Sequence, residues 1–220
     1  MQRTIIVLAI VLEWLTVSFA AATAEPETSP TGELTASDIF DPTTIWTIHL
    51  RFTADQWAAM EPKQSRPRRR GFGRGNWLLG PEGGRNGLSA AQGITFEYVR
   101  ADLEFGDIQF KDVGVRYKGN GTFWSSRESL KRSLKVDFNE FVKGQKFAGM
   151  SQINLHNSIR DASGLNEAIA YRLFRDGGVA GPRTAYARVY VTVAGTHDRR
   201  YFGLYNLVED VGGAFVKEHF

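Results

Sequence analysis

Apolar residues alternate with polar or small ones through the stretch Val113–Phe138, VGVRYKGNGTFWSSRESLKRSLKVDF. Val113, Val115 and Tyr117 alternate with Gly114, Arg116 and Lys118, and Leu134, Val136 and Phe138 alternate with Lys135 and Asp137. A period of two places successive side chains on opposite faces of a strand, so this stretch reads as two half-buried strands joined by a basic loop. Lys135 then lies in a strand but points away from the Leu134/Val136/Phe138 face. A lysine fixed beside the turn Lys118-Gly-Asn-Gly121 can hold a phosphate; a solvated lysine on an open sheet face is the plainer reading of the same pattern.

Similar patterns organise the rest of the chain. Ile45–Phe52 is a first strand, and Thr53 is placed to cap a short helix running through Met60. Ile94–Phe105 and Ile108–Tyr117 are two strands turning at Gly106-Asp107, a favourable hairpin pair. Ile153–Leu155 is a short buried strand. Asp161 or Ser163 can cap a helix that runs to about Asp176, with Leu165, Ile169, Ala170, Leu173 and Phe174 as its apolar arc and Glu167 at the edge. Gly177-Gly178 ends that helix. Tyr186–Val193 and Tyr201–Val208 form a hairpin, Glu209-Asp210 follows, and a last helix begins at Ala214.

Composition removes several classes of function. The 220 residues contain no cysteine, which excludes disulfides and thiolate metal sites. The net charge of +3 is local: Glu61–Arg85 holds seven basic and two acidic residues, and the remainder carries 20 basic against 22 acidic. The basic balance therefore describes one loop and implies no general nucleic-acid surface. That loop, 63–86, is an Arg/Gly-rich insertion, a composition that also suits a flexible solvated segment. His156 has no partner at a metal-ligand spacing and reads as structural, and no metal ligand set is expected. Residues 1–24 have the three parts of an export signal: Arg3, the apolar run Ile5–Leu12 and the cleavage site Ala22-Thr23-Ala24. Glu13 interrupts the apolar run, so no stable membrane span is expected. Residues 25–39 read as a Pro/Ser/Thr-rich linker.

Six blocks then fall in order: Val115-Arg-Tyr-Lys-Gly-Asn120, Lys131–Phe138, Ile153-Asn-Leu-His-Asn157, Ala170–Val179, Gly181–Tyr190 and Gly203–Glu209. Together they resemble the CotH family, named for a spore-coat protein and regarded as atypical secreted protein kinases. The resemblance covers about Phe40–Phe220 and is strongest from Gly114 onward. It implies an α+β fold: a kinase-like small lobe, mainly antiparallel sheet with one packed helix, cut at the hinge. Residues 40–220 would be the N-terminal portion of the kinase domain. It also implies ATP and Mg²⁺ as cofactors. Lys135 would pair the nucleotide phosphates and Glu167 would hold Lys135. Asn120 and Gly121 would do part of the work of a glycine-rich loop, and Glu209 and Asp210 would stand at the hinge that receives the adenine. The acidic residues for metal binding and proton abstraction would lie beyond Phe220, leaving the 220-residue chain inactive alone.

The expected function is transfer of the ATP γ-phosphoryl to Ser or Thr of exported or surface proteins, at a periplasmic, cell-surface or extracellular location. The alternative is a non-catalytic surface or coat module that keeps the fold without the chemistry. Binding of a polyanion through Lys63–Arg85 is a third reading, and nucleic acid is not the expected partner.

Overall fold

The computed structural model describes residues 34–62, 94–119 and 121–220. The proposed export signal, the Arg/Gly-rich insertion and Asn120 lie outside the described residues. The chain order is α1 (Ala36–Ile39), β1 (Ile45–Phe52), α2 (Ala54–Ala59), β2 (Val99–Phe105), β3 (Ile108–Tyr117), α3 (Gly121–Ser125), β4 (Leu134–Asp137), β5 (Gln152–His156), α4 (Asn166–Asp176), β6 (Thr184–Val193), β7 (His197–Glu209) and α5 (Gly213–His219).

The seven strands among the described residues close into a barrel in the order β1-β2-β3-β4-β5-β7-β6. Neighbours pair antiparallel except at the closing seam, where β1 runs parallel to β6. The seam is apolar in register: Ile48 lies opposite Val189, Leu50 opposite Val191 and Phe52 opposite Val193, and all six are buried. Leu134, Val136, Ile153, Leu155 and Leu207 continue the interior. Inward residues of a small barrel fill it with side chains, so the strands bury their apolar faces against one another. Closure also removes free sheet edges.

This architecture corrects the expected α+β, kinase-like small lobe with one packed helix. The closed, mixed seven-stranded barrel supplies most of the core, joined by Ile39 of α1, Phe123 of α3 and loop residues such as Met60 and Phe147. Helix α4 buries no residue. Its apolar arc is exposed at Leu165 (48%), Ile169 (52%), Leu173 (65%) and Phe174 (53%). The physical reason is that a closed barrel turns its apolar face inward and leaves no open apolar sheet face to receive a helix. Helix α4 meets the barrel through polar contacts instead: Glu167 reaches β5 and β7, and Arg175 donates to the Pro182 carbonyl ahead of β6.

Local rules account for the element ends. Thr35 and Asp38 form a reciprocal capping box on α1, which carries the fully buried Ile39 into the core at the end of the Pro/Ser/Thr-rich stretch. Thr53 Oγ1 accepts from Gln56 N at 3.2 Å and caps α2. Gly106, at φ +57°, makes the β2–β3 turn in a conformation that disfavours a side chain. Asp161 serves the start of α4 from five residues upstream, accepting from Asn166 N at 2.8 Å. Among the described residues no helix is long and apolar enough to cross a membrane.

Candidate functional site

Because Leu134, Val136, Ile153, Leu155 and Leu207 face inward, the residues alternating with them face outward. Register then sets polar groups side by side on the barrel's outer face. Lys135 pairs with Arg116 on β3 and with Asn154 on β5, and His156 on β5 pairs with Asn206 on β7. Lys118, one residue past β3, joins this surface through its backbone bond to Ser133 O at 3.0 Å.

Two linked ion-pair networks result. Lys135 Nζ donates to Asp210 Oδ1 at 2.8 Å, and Asn154 Nδ2 donates to the same oxygen at 3.0 Å. Lys118 Nζ donates to Asn154 Oδ1 at 2.7 Å and lies 2.7 Å from His156 Nε2. An ammonium has no acceptor, so His156 Nε2 must accept and Nδ1 must carry the ring proton. That proton is donated to Glu167 Oε1 at 2.7 Å, and Glu167 Oε2 accepts from Asn206 Nδ2 at 3.4 Å. Lys118, His156 and Glu167 thus form a continuous hydrogen-bonded chain from β3 to α4.

The electrostatics follow from burial and proximity. Burial, reinforced by the Lys135 charge, pushes the Lys118 ammonium down to about 8, while Asp210 and Glu167 work in the opposite direction. Burial acts to raise Asp210, but its bonds from Lys135 and Asn154 and the two lysine charges outweigh it and hold the carboxyl below its ordinary value. Glu167 is likewise lowered: burial is outweighed by His156, Asn206 and the Lys118 charge.

A cavity of about 400 Å³ opens beside the Lys118–His156–Glu167 chain. Its lining includes Lys118, Gly119, Thr122, Ser133, Asn157, Ser158–Asp161 and Asn166. Gly119 has φ +99°, and a Cβ there would lie 2.4 Å from Thr122 Oγ1, so the turn needs glycine. Asn157 is buried and ties the floor together, donating to Lys131 O at 3.1 Å and accepting from Ile159 N at 3.4 Å. Arg160 adds a second cation and is tethered to Ser125 Oγ at 3.2 Å. Asp161 also lines the cavity, but its two oxygens are engaged by Ser163 and by the Asn166 N–H.

The residues singled out from sequence therefore separate. Lys135 and Asp210 meet each other, while Glu167 meets His156 and Asn206. Glu209 is 3% exposed and takes a forked guanidinium from Arg183, with Nε at 3.0 Å, so its carboxylate faces neither lysine. Gly121 opens α3 near Arg160, and Asn120 lies outside the described residues. The sequence pattern assigns no role to Lys118, Asn154, Arg160 and Asn206, and it makes His156 structural. The alternation that turned Lys135 outward also turns Asn154 and His156 outward, and that signal was legible. What brings Lys118 to them is strand register, which no local pattern carries. No group of three or more potential metal ligands occurs among the described residues.

Residues 115–220 match the family model described as CotH kinase protein. The chain is CotH-like over that span, which begins inside β3 and continues through α5. The site lies within it, from Lys118 to Asp210. No curated protein matches the chain.

Proposed function

We propose that this CotH-like chain binds ATP and serves a protein kinase that moves the γ-phosphoryl to Ser or Thr hydroxyls of exported or surface proteins. The observation that carries the reading is a cavity of about 400 Å³, walled by Lys118 and Arg160, inside the segment matched to CotH kinase proteins. Its volume falls within the usual range for small-ligand sites, ~300–1,000 Å³. Phosphoryl transfer is largely positioning and neutralisation of charge, which fixed cations supply without reorganising.

The donor set fits a polyphosphate: two cations, the hydroxyls of Thr122 and Ser133, and a glycine turn that brings backbone close. ATP supplies the phosphoryl group and departs as ADP. The protein's part is to hold the phosphates, with Lys135 and Asp210 keeping the outer face of β4, β5 and β7 in register. The described residues do not assemble a Mg²⁺ ligand set. An N-terminal export signal accords with substrates outside the cytoplasm.

Thermal denaturation with increasing Mg-ATP tests the binding step. A ligand selective for the native state adds about 2.7 kcal/mol at a hundredfold excess over its Kd. A rising, saturable Tm is expected with ATP. No shift at millimolar Mg-ATP overturns the reading. Label transfer from γ-labelled ATP to a Ser/Thr-rich exported protein, in the presence of the chain, tests the chemistry.

A further inference from the structure

We infer that Lys118, rather than Lys135, is the lysine that meets a phosphate in this cavity, with Arg160 as a second cation on its lining and with Glu167 acting through His156 to position it. Lys118 lines the cavity, whereas Lys135 is not among its lining residues. Lys135 is engaged by Asp210 at 2.8 Å, with both side chains 17% exposed. Its charge is answered where it stands. Lys118 has three N–H donors, of which Asn154 and His156 take two. The third has no acceptor among the described residues and belongs to a group that faces the cavity.

The remaining charges support the same assignment. The carboxylates on the cavity wall are committed: Glu167 to His156 and Asn206, Asp161 to its own turn. Neither makes a direct ion pair with Lys118 or Arg160. Arg160, tethered through Ser125, supplies the forked donor geometry that suits phosphate. Glu167 has a distinct task. By accepting the Nδ1 proton of His156 it fixes the tautomer that offers Nε2 to Lys118, and so it aims the ammonium without touching the ligand. It is a positioning residue.

The assignment rests on the nucleotide reading only for the identity of the ligand; the phosphate site stands on the cavity. Pyridoxal 5′-phosphate is the probe, because it carries both a phosphate and an aldehyde. A neutral lysine amine adds to the aldehyde and expels water to give an imine, and borohydride reduces that C=N bond to a stable secondary amine. With its ammonium at about 8, Lys118 has on the order of a hundredfold more neutral amine near pH 7.5 than a lysine of ordinary pKa. Labelling of the full chain followed by peptide mapping is expected to place the pyridoxyl group mainly on Lys118. Tripolyphosphate should protect it, and Arg160→Gln, at an exposed position, should lower its labelling several-fold. Glu167→Gln should move the pH midpoint of labelling downward, since the carboxylate raises Lys118; a purely structural role would leave that midpoint in place.

Label found mainly on Lys135, or spread evenly over surface lysines without protection, overturns the inference. Label on Lys118 that tripolyphosphate blocks and Mg-ATP does not would keep the phosphate site and sink the nucleotide reading. Protection by both supports the two together.

Discussion

Replacing Asp210 by asparagine removes the charge paired with Lys135 while preserving the size of the side chain. The consequence can be bracketed. Breaking a fully buried ion pair costs about 3–5 kcal/mol, and breaking an exposed one about 0–1 kcal/mol. The Lys135 and Asp210 side chains are each 17% exposed, which places the pair between these limits. Asparagine can still accept from Lys135, so a loss of about 2 kcal/mol at neutral pH is expected. For a chain of this size that corresponds to a fall in Tm of about 4–8 °C. The pH dependence gives a second, independent check. Asp210 is lowered from its ordinary 3.8, so its contribution is complete above that pH and is lost as the pH falls through the lower folded value. The difference between Asp210→Asn and wild type should therefore narrow below pH 3.8. Thermal melts of both proteins between neutral pH and about pH 2.5 measure it. A variant within about 0.5 kcal/mol of wild type at neutral pH, or a gap that persists unchanged in acid, would refute the electrostatic account.

Three further outcomes are expected. Ile48→Ala empties a fully buried position on the β1–β6 seam and should cost about 2–5 kcal/mol in urea unfolding; a negligible loss would mean the seam does not close the core. The Tyr205 hydroxyl is buried with no hydrogen-bond partner among the described residues, so Tyr205→Phe should leave the stability measured by urea unfolding unchanged or raise it by about 1 kcal/mol, whereas a marked fall would reveal an acceptor. His49 is pushed below its ordinary 6.5 by burial, opposed by the Glu104 hydrogen bond and aided by the Arg51 and Arg199 charges. The unfolded chain then binds more protons, so wild-type stability should decline as the pH drops through 6.5, and His49→Gln should flatten that decline in a pH series of melts.

Much of the local structure was legible in the residues. The run Ile45–Phe52 is strand β1 with the same bounds, and Thr53 caps the helix after it. The outward position of Lys135 follows from its neighbours Leu134 and Val136, and the burial of those neighbours agrees. The global arrangement was not legible. Barrel closure depends on a parallel match between Ile45–Phe52 and Tyr186–Val193, segments far apart in the chain that no short-range period connects. The helical arc at Leu165, Ile169, Leu173 and Phe174 shows the same limit from the other side: an apolar stripe specifies a face, and only the tertiary fold decides whether something covers it. The site follows this pattern too. Lys135 finds its carboxylate 75 positions away at Asp210, and Lys118 meets His156 38 positions away because β4, lying between β3 and β5, holds them in register.

The most direct test is the structure of the chain bound to a non-hydrolysable ATP analogue. The phosphates are expected in the cavity beside Gly119, with oxygen atoms about 2.7–3.0 Å from Lys118 Nζ and Arg160. Phosphates held instead by Lys135, or a nucleotide seated elsewhere on the barrel, would contradict the account.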